Sequence, residues 1–270
     1  AMKGKKVIRK VGWDTHGLPI ENHVEKKLGI SSKKEIEELG IEKFNDECRK
    51  SVRENEDAFV NLTSKMGQFI DTENPYLTFK NDYIETEWWI LKKFYEENLF
   101  YEGTRVVPYC PHCGTGLATH EVAQDYQSDT ALTCYVPFKK KGEDVYFLAW
   151  TTTPWTLLAN VALCVNPDVT YALVESKGTK FILAEALVKA VLGEESEILE
   201  TFKGKTLENT EYEQLIPSLN VEGKAFIVTC AEYVTTEDGT GVVHIAPAFG
   251  ADDAEVCKEY GITEVNPVRK

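Results

Sequence analysis

The apolar pattern of this chain changes period near Gly103, and that change restricts it to two unlike layers of structure. Before Gly103 the pattern is helical. Phe44, Cys48, Val52, Phe59, Leu62, Met66 and Phe69 fall on one face, which predicts one long helix. A second stripe, Tyr83, Ile84, Trp88, Leu91, Tyr95 and Leu99, starts after Asp82 and Glu85 and reads as core packing. Beyond Gly103 come short strand-like runs separated by turn residues, at 145–151, 170–175, 180–183, 225–231 and 241–245, with a helix near 185–192. The expected class is α+β: a helical segment over 1–102, a connector over 103–128, and a β-barrel-like domain over 129–270.

Local signals punctuate the helical part. Lys6 to Arg9 alternates around Val7 and Ile8 as a short strand leading into Gly12. Ser32 with Glu35 makes a capping box, and Gly40 is the stop. Asn74-Pro75 marks a break, because the residue before proline is pushed away from helical angles.

Composition excludes several classes. No apolar run approaches the ~20 residues that span a bilayer, and the N-terminus lacks the apolar core of a signal peptide, so a cytoplasmic protein with no membrane partner is expected. Seven cysteines, an odd number with one close pair, do not make a secreted disulfide scaffold. The formal net charge of −14 argues against general nucleic-acid binding; any RNA contact must be local and shape-driven, or shared with basic surface outside this chain.

Four stretches carry chemistry. Gly12-Trp13-Asp14-Thr15-His16-Gly17-Leu18-Pro19-Ile20-Glu21 runs from a strand through a glycine turn to a helix start, where Asp14 either serves the turn or holds an ammonium group. Cys110-Pro111-His112-Cys113-Gly114 is half of a zinc knuckle. Tetrahedral zinc needs four ligands, and His112, His120 and Cys134 are the nearest substitutes for a missing pair. A redox reading of the same pair needs a thioredoxin-like context that is absent.

Thr151-Thr152-Thr153-Pro154-Trp155-Thr156, followed by Asn160, places stiff hydroxyls at a strand end. They form either a solvated turn or a cluster able to orient water and an ester. Finally, a strand delivers His244 to a loop ending in Asp252-Asp253. His244 reads as a core histidine or a pocket wall, and the carboxylates as helix caps, pocket groups or one of each.

These four stretches, in this order, resemble the isoleucine-specific family of class I aminoacyl-tRNA synthetases. That family has tryptophan before the aspartate and Gly-Leu-Pro-Ile-Glu after the histidine, as at residues 12–21 here. The threonine-rich peptide at 150–160 is similar to the family's editing-site peptide; the valine and leucine enzymes carry arginine at or beside Pro154. The resemblance implies a Rossmann-type catalytic segment followed by an editing domain. It implies that Asp14 holds the α-amino group of isoleucine in the synthetic site, and that the partner cysteines of Cys110 and Cys113 lie beyond Lys270.

For the editing site the resemblance implies that Asp253 grips the α-amino group of the wrong amino acid. Thr151, Thr152 and Thr153 address adenosine and water, Thr156 and Asn160 support them, and His244 excludes isoleucine by bulk. Phe249 stands where some relatives carry histidine and is left out of the catalytic set. The implied partners are tRNA(Ile), isoleucine and mischarged valine. ATP and magnesium belong to the full-length enzyme, because neither ATP-binding signature occurs here.

The expected activity is therefore hydrolysis of Val-tRNA(Ile) by a monomeric fragment. The alternative is a non-catalytic module that binds the tRNA acceptor end or zinc. A stand-alone editing protein is opposed by residues 12–21, for which it has no use.

Overall fold

The computed structural model describes residues 2–54, 56–123, 126–217 and 220–268, which fall into two compact units. The first contains the chain up to Thr104 together with Pro108–Leu117; the second contains Arg105–Val107 and the chain from Ala118 onward. The expected connector is thus divided between them, and its residues 124 and 125, like the chain ends at 1, 269 and 270, lie outside the described residues.

In the first unit, β1 (Lys10–Trp13) leads into α1 (Leu18–Leu28), α2 (Lys33–Leu39), α3 (Ile41–Arg53) and α4 (Glu56–Lys65). β2 (Asp71–Leu77) then runs parallel to β1, and α5 (Asn81–Glu96) follows. The strand expected at Lys6–Arg9 forms later, at β1, where Val11 is buried and pairing with β2 is available; Val7 and Ile8 remain exposed. The cap of α2 is as read: Ser32 Oγ accepts from Glu35 N–H at 3.4 Å, and Gly40 ends the helix at φ 100°, where a β-carbon would be strained. Glu35 reaches back to Ser31 N–H at 2.9 Å, one residue earlier than the standard box.

Two expectations are corrected. The long helix is two helices, α3 and α4, and its stripe does not make one buried face: Phe44 is buried while Leu62, Met66 and Phe69 are exposed. The α5 stripe packs no core within the described residues, since no α5 residue is buried and Trp88 is 69% exposed. Periodicity identifies an apolar face without saying what covers it. Pro75 does not end an element; it sits in β2 where the register jumps from Lys10↔Asp71 to Gly12↔Tyr76, as a bulge allows. A hairpin of β3 (Tyr109–Cys110) and β4 (Thr115–Gly116) completes the unit.

The second unit runs α6 (Thr119–Val122), β5 (Cys134–Lys139), β6 (Val145–Thr151), a 3-10 turn (Pro154–Ala159), β7 (Ala162–Val165), β8 (Thr170–Ser176) and β9 (Thr179–Ala184). It continues with α7 (Val188–Leu192), β10 (Glu197–Lys203), β11 (Ile227–Cys230), β12 (Val242–Ile245) and α8 (Ala251–Tyr260). One sheet has the order β10-β8-β9-β6-β5 and the other β11-β7-β12. Both are mixed, with β6 parallel to β9 and β7 parallel to β11. The expected barrel is corrected to two open sheets, because β10 and β5 end the larger ladder without pairing to each other.

A core of Phe138, Phe147, Leu163, Val165, Tyr171 and Val228 joins the strands of this unit. Full burial of each large apolar side chain contributes about 1.5–3 kcal/mol. The Tyr171 hydroxyl is satisfied inside that core: it donates to the Gly241 carbonyl at 2.6 Å and accepts from Asn166 N–H at 3.0 Å. This bond anchors the start of β12, which packs beside β6 and pairs antiparallel with β7, setting His244 opposite Leu163. The ends of β6 and β12 thereby come together. Among the described residues no helix is long and apolar enough to cross a membrane.

Candidate active site

Where β6 and β12 end, a cleft of about 350 Å³ opens in the second unit. One wall is the threonine-rich peptide, Thr151, Thr152, Thr153 and Thr156; the other is Val243, His244 and Ala246 with Phe249, Gly250 and Asp253 of the following loop and helix. Thr152 and Asp253, remote in sequence, line the same space.

The threonine wall is built by a strand that stops abruptly. Thr151 ends β6, and Pro154 opens the 3-10 turn at a position where its missing N–H costs nothing. Thr151 Oγ1 accepts from Thr153 N–H at 3.1 Å, and the Thr151, Thr153 and Thr156 hydroxyls follow one another at 3.3 Å steps. Thr151 and Thr156 are buried, while Thr152 is exposed in the cleft and free of these bonds.

The same network fixes the histidine. Thr156 Oγ1 lies 2.8 Å from the Thr153 carbonyl, which can only accept, so the single hydroxyl proton goes there. His244 Nε2, 2.9 Å from that oxygen, must then donate, leaving Nδ1 as the unprotonated nitrogen. Nδ1 is buried with no partner among the described residues. Burial holds His244 neutral, its pKa lowered to about 4. A ring that donates through Nε2 and resists protonation is a wall, and it does not draw a proton from Thr156.

That burial makes stability sensitive to acid. An unfolded imidazole titrates at about 6.5 and this one at about 4, so between those values the unfolded chain binds the extra proton. The His244 contribution is complete above pH ~6.5 and is lost as pH falls toward ~4, at about 1.4 kcal/mol per pH unit. Asp253 acts with the opposite sign, since its raised carboxyl gains its proton first in the folded state. Denaturant midpoints measured from pH 7 to pH 4 are expected to fall more steeply in the native chain than in His244→Gln.

Asp253 sits in the first turn of α8, half-buried. Its Oδ2 accepts from Ala246 N–H at 2.9 Å, across the loop rather than within the helix. Burial pushes its carboxyl pKa up, while the Ala246 bond opposes that shift. Asp252 is exposed and makes no capping bond, so neither carboxylate caps the helix; its N-cap is Gly250.

Asn160 does not line the cleft. Its Nδ2 donates to the Ala162 carbonyl at 2.8 Å and its Oδ1 accepts from the buried Tyr212 hydroxyl at 2.6 Å, tying the end of the 3-10 turn to the core. Neither Ala246, whose N–H holds the carboxylate, nor Gly250, which makes room for it, stood out in the sequence. The sequence marks only the glycine- and proline-shaped loop that holds them and the acid pair that follows it.

Asp14 lies in the first unit, exposed at the end of β1. A cleft of about 220 Å³ lies beside it, lined by Thr15, His16, Glu21, Cys48 and Arg49 but not by Asp14 itself. Thr15 is held by Thr78, hydroxyl to hydroxyl at 2.7 Å.

Cys110 and Cys113 lie in the β3–β4 hairpin with the geometry of a knuckle: Cys113 N–H donates to Cys110 Sγ at 3.4 Å, and Gly114 N–H to the Cys110 carbonyl at 2.9 Å. The Cys113 amide holds the Cys110 thiol below its ordinary pKa, as suits a thiolate ligand. Two thiolates are half of a zinc set. Among the described residues no third histidine, cysteine, aspartate or glutamate joins them, so the residues present do not complete the site.

The cleft, with hydroxyls facing a half-buried carboxylate, agrees in place with the motifs, and comparison with known sequences defines the class. The chain belongs to the class I tRNA synthetases (I, L, M and V), whose family pattern matches residues 1–221. Within that class it is 50% identical over all 270 residues to the isoleucine–tRNA ligase of Clostridium tetani, and 49% identical over 269 residues (99% of this chain) to that of Picrophilus torridus. It spans 26% of the length of each. Likeness to solved structures is looser: the cytosolic leucyl-tRNA synthetase editing domain of P. knowlesi aligns at 15% identity and a TM-score of 0.38, over 48% of this chain and 67% of that one.

Proposed function

We propose that this chain carries the proofreading pocket of an isoleucine–tRNA ligase and hydrolyses valine esterified to tRNA(Ile). One observation carries the reading: free and bonded threonine hydroxyls and an anionic side chain, about a hundred residues apart in sequence, face each other across one cleft. In the reaction, water attacks the ester carbonyl, the bond to the terminal ribose oxygen breaks, and that oxygen leaves with a proton as the free hydroxyl. Valine departs as its carboxylate, and the second proton of the water passes to solvent. Asp253 receives the substrate ammonium through Oδ1, the oxygen not engaged by Ala246. Thr152, exposed in the cleft, and the Thr151–Thr153 pair orient water and the terminal adenosine.

Among the described residues that line the cleft, His244 offers no base through Nε2, which donates to Thr156, and the Asp253 carboxylate is assigned to the ammonium. Catalysis therefore rests on positioning. Valine and isoleucine differ by one methylene, worth about 1–3 kcal/mol in an apolar pocket, and this pair is the standard example of that limit. A second pocket closed to the larger side chain by His244 supplies the rest.

In the whole enzyme, which ligates isoleucine to tRNA(Ile) with ATP and magnesium, Asp14 would hold the α-amino group of isoleucine in the synthetic site. Cys110 and Cys113 would supply two thiolates toward a zinc completed by residues outside this chain. A cytoplasmic monomer fits the reading. The net charge of −14 places most tRNA affinity on other surfaces.

The test pairs two measurements on the 270-residue chain: hydrolysis of a valyl ester of a tRNA acceptor minihelix, and calorimetric binding of the non-hydrolysable valyl-adenosine amide. Binding with turnover is the expected result. Binding without turnover would favour a module that only holds the acceptor end.

A further inference from the structure

Gly250 has no conformational reason to be glycine. Its φ of −130° and ψ of 133° are ordinary extended values open to any residue. As the N-cap of α8 it makes no side-chain capping bond, and serine or asparagine would cap at least as well. What a side chain would meet there is Asp253. A β-carbon on Gly250 would lie 2.8 Å from Asp253 Cγ and 2.9 Å from Oδ2, distances that real β-carbons do not tolerate. The carboxylate lies over the bare Gly250 Cα as it reaches Ala246 N–H at 2.9 Å, and in that position it lines the cleft.

We infer that Gly250 is a positioning residue for the hydrolytic site: its missing side chain sets the place of the Asp253 carboxylate. The inference rests on the proofreading reading for its effect on rate, and on the geometry alone for its effect on Asp253. Any β-carbon at residue 250 pushes the carboxylate off Ala246 and displaces the oxygen offered to the substrate ammonium. A misplacement of about 1 Å costs on the order of 100-fold in rate when catalysis depends on orientation.

Serine separates this role from a structural one, because it adds a β-carbon while strengthening the cap. The experiment compares the native chain with Gly250→Ser, Gly250→Ala and Asp253→Ala in three readouts: thermal midpoint, exchange protection of the Ala246 amide, and kcat and KM for the valyl minihelix ester. The expected result for Gly250→Ser is a midpoint equal to or above that of the native chain, lost Ala246 protection, and kcat/KM lower by about 10- to 100-fold. Gly250→Ala is expected to share the last two changes with a slightly lower midpoint. Retained Ala246 protection in both Gly250 variants would overturn the inference, as would native rates in them beside a slow Asp253→Ala. If the native chain proves inactive, the proofreading reading fails by itself, and the amide exchange still decides whether Gly250 sets the carboxylate.

Discussion

Asp253→Ala is expected to lower hydrolysis of valyl-tRNA by about 10- to 100-fold without unfolding the chain. A hydrogen bond to a charged partner is worth about 1.5–3 kcal/mol, and each 1.4 kcal/mol is tenfold in rate. Among the described residues the carboxylate is the one anionic side chain that lines the cleft, so it is the group placed to take an ammonium by charge. Stability should change little. Burial already works against the ionised form, and that relief offsets the loss of one bond to Ala246 N–H. Single-turnover deacylation and a thermal melt on the same preparation check both halves. Native rates in a folded variant would remove Asp253 from the mechanism.

His244→Ala is expected to open the pocket to isoleucine. The imidazole is 8% exposed and fixed by Thr156, so it cannot swing aside for a larger side chain. Truncation removes that bulk, while Thr156 keeps its bond to the Thr153 carbonyl at 2.8 Å and the threonine wall stands. The preference for valyl over isoleucyl ester should fall by about 10- to 200-fold, the range that one methylene can command. The valyl rate itself should hold within a few-fold, because the ring donates to Thr156 and moves no substrate proton. Deacylation of the two esters measured side by side checks this. A variant that still spares isoleucyl-tRNA would place the size filter elsewhere.

The sequence marked the strings that line the cleft better than it marked the packing. Thr151, Thr153 and Asp253 were legible because each lies in a dense local string, and local strings survive whatever the rest of the chain does. The strand at Val145–Thr151 was read to the residue, since β-branched and aromatic residues there end in a clear turn. β7 was missed because Ala162–Val165 is buried on both faces and shows no alternation, and β10 because its Glu197–Lys203 stretch is mostly exposed and charged at both ends. Closure into a barrel depends on pairings between distant strands that no local pattern encodes, and the sheets here stay open.

Asn160 illustrates the same limit within the site. The family resemblance implies a role for it in supporting the threonine cluster and pocket, while its amide is bonded to Ala162 and to Tyr212, a partner 52 residues away. The stripe on α5 shows it from the other side. Trp88 and Tyr95 have the spacing of core residues and are exposed within the described residues, because an apolar face fixes a need for burial but not its partner.

The most direct test of the account is the rate at which the native chain deacylates valyl-tRNA(Ile) and isoleucyl-tRNA(Ile) under identical conditions. A cleft that grips the ammonium with one acid and rejects the extra methylene with a fixed imidazole predicts rapid loss of valine and survival of isoleucine. Equal rates for the two esters, or none for either above the spontaneous background, would contradict it.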